Sequence, residues 1–373
     1  LLTTEPAGEG HEGDVLACAY SPDGQFVLSA GWDGYLRLWE TAQGTQVTQL
    51  KAGSKPLSAC AVAPNGRRWL AGSMEGLLAY WDGMLQTQTL MFLAHTRPVS
   101  TIVYSADGVL ATTSWDRQVI LWDRNREREG RTLTGHADIV SGGRFTPDGR
   151  TFVSWSYDGT VRLWEVGRGR PLAELTGHAD RILAGAVCPD GRWAATGSRD
   201  QALKLWDLAR PCEAGSVTLA AEVRACFFLL DAASLVTVDS DGLVQVFSVP
   251  DLEPRESHAT RLPVQCADLS PTGGQLALGC SDGRVCLVAV DGFDSAPLLV
   301  TPTQGTRQTA NLFQRMLGKH RTVPTFEFTC PACRQAFELP PQSPGQAASC
   351  PACRRSLRLS PFVMPAREAV RNP

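Results

Sequence analysis

Short runs in which apolar and polar residues alternate recur along residues 1–303; TVRLWEV (160–166) and ALKLWDL (202–208) are two of them. A period of two is the signature of a half-buried β-strand, whose successive side chains face opposite ways. Many of these runs end on an aromatic, and the aromatics are evenly spaced. Trp39, Trp81, Trp122, Trp164, Trp206 and Phe247 follow one another at 42, 41, 42, 42 and 41 residues, and one more step reaches Val288. Seven units are therefore predicted.

Two further markers recur in phase. SPDG (21–24) returns as APNG (63–66), SADG (105–108), TPDG (146–149), CPDG (188–191) and SPTG (270–273), whereas unit six has DAAS (231–234). Pro second and Gly fourth suit a tight reverse turn. An acidic turn recurs as Asp33, Glu75, Asp116, Asp158, Asp200, Asp241 and Asp282. Gly follows in five of the seven, the hairpin signal between alternating strands. Four short strands per unit make an all-β chain whose small sheets cover one another's apolar faces and leave few open edges.

The units resemble WD repeats: Gly-His stands near the start of some (Gly135–His136, Gly177–His178) and Trp-Asp or Trp-Glu near the end. The resemblance covers roughly residues 1–303. It implies a seven-bladed β-propeller acting as an interaction platform, usually without catalysis. It also implies a polar chain inside each blade that links a His, a Ser or Thr, the turn Asp and the Trp. Unit one offers His11, Ser29, Asp33 and Trp39, and unit three His95, Thr112, Asp116 and Trp122. Unit four offers His136, Ser154, Asp158 and Trp164, and unit five His178, Thr196, Asp200 and Trp206. Unit two departs, with Ser54, Ala71 and Glu75 around Trp81; unit six has no matching His, and His258 of unit seven is out of register. The last blade has two candidate closing strands, LLTT (1–4) and APLLVT (296–301); the position of the second, after Val288, favours it.

The residue before each turn acid is not explained by this framework. It reads Trp32, Met74, Trp115, Tyr157, Arg199, Ser240 and Ser281 from unit to unit. In this topology these turns share one rim of the disc, so the first five units line an arc with residue types that carry binding energy at protein interfaces. The alternatives are rings folded down over their own blades, or an aromatic cage for a cationic side chain. Trp155 adds further bulk near Tyr157, or packs between blades.

Residues 326–361 are a different object. Cys330 and Cys333 form one CPAC, Cys350 and Cys353 another. Two such pairs supply four thiolates for one tetrahedral Zn ion, leaving no open position for catalysis. The segment resembles a zinc ribbon with FEFT, AFELP and SLRLS as strands, although Arg334 and Arg354 stand where Gly often follows each pair. The expected division is a propeller over 1–303, a linker over 304–324 with a short helix at Thr309–Leu317, a ribbon over 325–362 and a tail over 363–373.

Charge sharpens this division. From Gly305 onward ten Arg and Lys face three Asp and Glu, a net of +7, so the remainder carries −10 within a total of −3. A basic tail docks on its own acidic body or meets a polyanion. Arg315, Lys319, Arg321, Arg354, Arg355 and Arg358 supply a nucleic-acid alternative for the ribbon. The other eight cysteines are scattered singly, which fits a reducing, cytoplasmic setting. No run approaches the length of a membrane helix, and LLTTEP has neither an initiator Met nor a leader, as in a piece of a longer protein. GCSDG (279–283) and VDSDG (238–242) imitate a hydrolase elbow and a calcium loop, but both are copies of the acidic hairpin turn. The expected function is a monomeric, non-enzymatic scaffold recruiting other proteins or fused domains.

Overall fold

A computed structural model describes residues 3–4, 10–83, 85–123 and 130–289, and beyond these the backbone strands 298–300, 303–309, 321–329, 336–339, 347–349, 356–359 and 364–365. Seven four-stranded antiparallel sheets follow one another in the first 289 residues. Blade 1 is Val15–Tyr20, Phe26–Gly31, Tyr35–Glu40 and Gln46–Lys51, each strand paired with the next. Blades 2 to 6 repeat this order, and the first strands of all seven blades lie side by side in a closed ring. The chain is a seven-bladed β-propeller.

The ring closes through the N-terminus. Thr3 and Thr4 pair antiparallel with Val288 and Leu287, adding the outer strand to blade 7 beside Val264–Leu269, Gln275–Cys280 and Val285–Ala289. The expectation that 296–301 closes this blade is overturned: Leu298–Val300 instead pairs in parallel with Ser356–Leu359 in another sheet. Strand composition did not separate the two segments; topology does, because the outer edge of blade 7 is already taken. Tyr20 N–H donates to Asp268 Oδ2 at 2.8 Å and His11 N–H to Gly283 O at 2.9 Å, so blades 1 and 7 are also joined by hydrogen bonds.

Packing between blades has a feature common to all seven and a glycine hollow at three of them. The first strand of every blade begins with a buried aliphatic residue: Val15, Leu57, Val99, Val140, Ile182, Val223 and Val264. Three of these press into a glycine of the preceding blade. A Cβ added at Gly72 would come 2.6 Å from Val99, at Gly197 2.4 Å from Val223, and at Gly279 2.7 Å from Val15. Blade 4 carries Trp155 at that position, buried, and there the relief lies on the other side. A Cβ at Gly185 of blade 5 or at Gly142 of blade 4 would come 2.6 Å from the Trp155 ring. Trp155 is thus an inter-blade residue and not part of a surface.

Beyond the propeller, Thr303–Thr309 pairs with Arg321–Thr329, which pairs with Ala336–Leu339, and Ala347–Ser349 pairs with Ser356–Leu359. Both ends of the segment read as a linker are therefore strand. Thr309 ends one of these strands and does not begin a helix, and the rest of the expected helix lies outside the described residues. Among the described residues no helix is long and apolar enough to cross a membrane.

Removing residues 1–5 strips two paired backbone positions from blade 7 and is expected to lower unfolding free energy by about 1–3 kcal/mol, at roughly 1 kcal/mol per net hydrogen bond. Urea denaturation checks this. An unchanged midpoint would return the closing role to 296–301.

Candidate functional site

The framework beneath the rim is built from the residues that the sequence nominates. In blade 4, Trp164 Nε1–H donates to Ser154 Oγ at 2.8 Å, and Ser154 Oγ lies 2.8 Å from His136 Nε2. His136 Nδ1 lies 3.0 Å from Asp158 Oδ2. Blade 1 repeats the chain at 2.8, 2.8 and 2.9 Å through Trp39, Ser29, His11 and Asp33. Blade 3 uses Trp122, Thr112, His95 and Asp116 at 3.0, 2.8 and 2.9 Å. Blade 5 uses Trp206, Thr196, His178 and Asp200 at 2.8, 2.8 and 3.0 Å. One proton assignment satisfies every group: the indole donates to the hydroxyl, the hydroxyl to Nε2 of a neutral imidazole, and Nδ1–H to the carboxylate. Each carboxylate also accepts the backbone N–H that follows the His, from Glu12, Thr96, Ala137 and Ala179.

Titration follows the same arrangement. Burial pushes His11 and His178 below the usual 6.5, against the pull of their Asp partners. Burial pushes Asp33, Asp116, Asp158 and Asp200 upward, but their hydrogen bonds outweigh it and hold all four below the usual 3.8. Both shifts act in one direction, because the unfolded chain binds more protons than the folded one.

Three blades lack the chain. In blade 2 the structure corrects the expected alignment. Leu57 opens the first strand as Val15 does in blade 1, so the position of His11 belongs to Gly53 and not to Ser54. Gly53 O also packs beneath Gly34 as His178 O packs beneath Gly159. In blade 6 the same count puts Leu219 at the His position, packed against the core that contains Phe247, an apolar substitute for the polar chain. Thr260 takes the position in blade 7 and donates to Gly242 O at 2.7 Å, while His258 lies exposed on the outer strand of blade 6.

The turn residues are held by a bond common to all seven blades. The N–H groups of Trp32, Met74, Trp115, Tyr157, Arg199, Ser240 and Ser281 donate to Asp14, Pro56, Pro98, Ile139, Arg181, Glu222 and Pro263 at 2.8–3.1 Å. Each acceptor sits just ahead of its blade's first strand, so the seven turns are equivalent points on one rim. Trp32 and Trp115 are 53% and 41% exposed, too much for rings folded over their blades. Met74 and Tyr157 are half-buried and Arg199 is exposed. Arg181 of blade 5 covers Tyr157 of blade 4, its guanidinium carbon 5.1 Å from the ring centre. Arg199 Nε pairs with Glu222 Oε1 of blade 6 at 3.2 Å. Among the described residues no ring contact joins Trp32, Trp115 and Tyr157.

The metal ligands expected at Cys330, Cys333, Cys350 and Cys353 lie outside the described residues, as do the side chains of Arg315, Lys319, Arg321, Arg354, Arg355 and Arg358. What is described is their frame: one antiparallel pair of strands flanks 330–335 and another flanks 350–355.

These features define a propeller in which blades 1, 3, 4 and 5 carry the internal hydrogen-bonded chain that the WD-repeat resemblance implies. Comparison with known proteins agrees: the WD domain, G-beta repeat family matches residues 4–40, 86–123, 127–165 and 169–207. The four matches end in blades 1, 3, 4 and 5, the blades with the complete chain, and the first begins within the closing strand at Thr4. The chain therefore contains WD40 repeats arranged as a seven-bladed propeller. Similar relatives include the small ribosomal subunit protein RACK1z of Oryza sativa subsp. japonica, 50% identical over 46 residues, 12% of this chain and 14% of that one. RACK1 of Medicago sativa is 47% identical over 45 residues, with the same coverage. MST50-interacting protein 11 of Pyricularia oryzae is 54% identical over 37 residues, 10% of this chain and 12% of that one. The chain thus spans about one-seventh of the length of these relatives.

Ser154→Ala leaves the Trp164 indole and His136 Nε2 unmatched and is expected to cost about 1–3 kcal/mol per orphaned group. Ser154→Thr is expected to cost little, since Thr112 and Thr196 hold the same place. Urea denaturation measures both. Lowering the pH through 6.5 is expected to reduce stability as the unfolded histidines take up protons, with a second loss below 3.8 from the aspartates. Urea midpoints across pH check the sign.

Proposed function

We propose that this chain is a non-enzymatic scaffold that recruits protein partners through the rim formed by Trp32, Met74, Trp115, Tyr157 and Arg199. The observation that carries this reading is the exposure of two tryptophans on equivalent turns of blades 1 and 3. Burying a large aromatic ring gives a sizeable free-energy gain, and Trp, Tyr and Arg dominate interface hot spots. The relatives are, by name, a small ribosomal subunit protein and an MST50-interacting protein, which suits a contact-making role. The arc has two characters: an apolar section over blades 1 to 3, and a section over blades 4 and 5 where Arg181 and Arg199 add charge.

The C-terminal segment is proposed as a structural zinc site held by Cys330, Cys333, Cys350 and Cys353. The flanking strand pairs support it, since a CxxC in each of two hairpins is a zinc-ribbon arrangement. A reducing compartment, the cytoplasm, suits such thiolates and the free cysteines of the propeller.

The test is co-purification of partners with wild-type protein and with a variant carrying Trp32→Ala, Trp115→Ala and Tyr157→Ala. The expected result is loss of recovery at an unchanged circular-dichroism spectrum, with each hot-spot ring worth about 2 kcal/mol or more. Equal recovery from a folded variant would remove the rim from the reading.

A further inference from the structure

Blade 2 has lost three of the four groups of the internal chain, and the loss leaves a pocket. Gly53 stands where blades 1, 3, 4 and 5 place His11, His95, His136 and His178, and a Cβ built there meets nothing within 4 Å. Ala71 replaces the hydroxyl residue. Glu75 replaces the aspartate and turns outward, its carboxylate 3.2 Å from Lys55 Nζ. Trp81 alone remains, buried as its counterparts are. The vacated space is a cavity of about 170 Å³, lined by Gly53, Ala71, Ser73, Leu77, Ala79 and Met91 among others. Glu75 is part of its lining, one residue along the chain from Met74 on the rim.

The size and chemistry of this pocket narrow its occupant. A cavity of roughly 150 Å³ holds one benzene ring, so there is room here for one ring-sized side chain. Ala71 offers the Trp81 indole no oxygen, unlike the hydroxyls of the four complete blades, although the indole is not itself part of the lining. Ser73, which is, supplies a donor. Its Oγ accepts N–H bonds from Glu75 and Leu77 at 3.2 and 3.1 Å. The equivalent Ser114, Ser156 and Ser198 pass their protons to Arg97 O, Asp138 O and Asp180 O at 3.2, 3.2 and 3.1 Å. Ser73 has no such acceptor among the described contacts. At the mouth stands an acceptor, the Glu75 carboxylate, paired with Lys55, which also lines the pocket. A ring that uses both Ser73 and Glu75 accepts a hydrogen bond at its inner end and donates one at its outer end. A phenyl or aliphatic side chain does neither; neutral imidazole does both.

We propose that the blade 2 pocket receives a histidine side chain from a protein partner bound at the rim, supplying from outside the ring that four other blades supply themselves. This rests on the proposed recruitment of protein partners. Met91 and Leu93, 46% and 64% exposed on the outer strand of the same blade, continue the apolar contact away from the pocket.

The experiment needs no partner, so it fails or succeeds separately from the co-purification test. The full chain, with ¹⁵N-labelled tryptophan, is titrated with 4-methylimidazole at a pH where the ring is neutral, and in parallel with toluene. The Trp81 indole resonance is assigned with Trp81→Phe. The expected result is a saturable shift of that resonance with a Kd on the order of 1 mM, the range open to a ligand of about six heavy atoms, and a weaker response to toluene. Gly53→His with Ala71→Ser and Glu75→Asp is expected to abolish the shift by filling the pocket from within. If that variant does not fold, Ala71→Leu, which fills the floor without touching the backbone at Gly53, is expected to weaken binding at least tenfold. No saturable shift in the wild type, an equal or larger response to toluene, or a response unchanged by a folded pocket-filling variant would each overturn the proposal.

Discussion

Each small sheet of this protein has two apolar faces and can cover neither alone, and that constraint governs the rest of the structure. Cover comes from the neighbouring blades, so the unit of stability is the interface between blades. At three interfaces the aliphatic residue that opens the first strand enters a hollow in the blade before it, made by Gly72, Gly197 and Gly279. Where Trp155 fills the hollow, Gly142 and Gly185 give way instead. Ring closure includes the outer strand that blade 7 borrows from residues Thr3 and Thr4, beside the hydrogen bonds from Tyr20 to Asp268 and from His11 to Gly283.

Within that ring the buried chain from Trp through Ser or Thr and His to Asp serves a second purpose. It fixes the acidic turn to the blade interior in blades 1, 3, 4 and 5, and the turn is what presents Trp32, Trp115, Tyr157 and Arg199. Interior and surface are therefore coupled through one residue step: the acid points inward to the imidazole, and its predecessor points to the rim. Blade 2 breaks the chain yet keeps the turn bond from Met74 to Pro56, so the rim is continuous while the space beneath it is not.

Much of this is legible in the sequence because it is periodic. The tryptophan spacing and the acidic turns emerge from counting, and the four complete chains from the resemblance to WD repeats. Three features do not, each for a physical reason. LLTT and APLLVT both read as strands, and which one closes blade 7 depends on the free edge it meets in space. Ser54 attracts attention by its chemistry, although counting four residues back from Leu57, as from Val15 to His11, would have found Gly53. Trp155 reads as surplus bulk until Gly142 and Gly185 are seen on either side of it.

The account divides the two tryptophans of SAGWDGYLRLWE between frame and surface. Trp39 is buried and bonded to Ser29, whereas Trp32 stands on the rim with over half of its surface open. Equilibrium urea unfolding of Trp32→Ala beside Trp39→Phe tests that division directly. Trp32→Ala is expected to remain within about 0.5 kcal/mol of wild type, as exposed substitutions do, and Trp39→Phe to lose about 1–3 kcal/mol through the orphaned Ser29 and the vacated volume. A loss at Trp32 as large as that at Trp39 would contradict the account, because the ring would then be holding the blade together and not waiting for a partner.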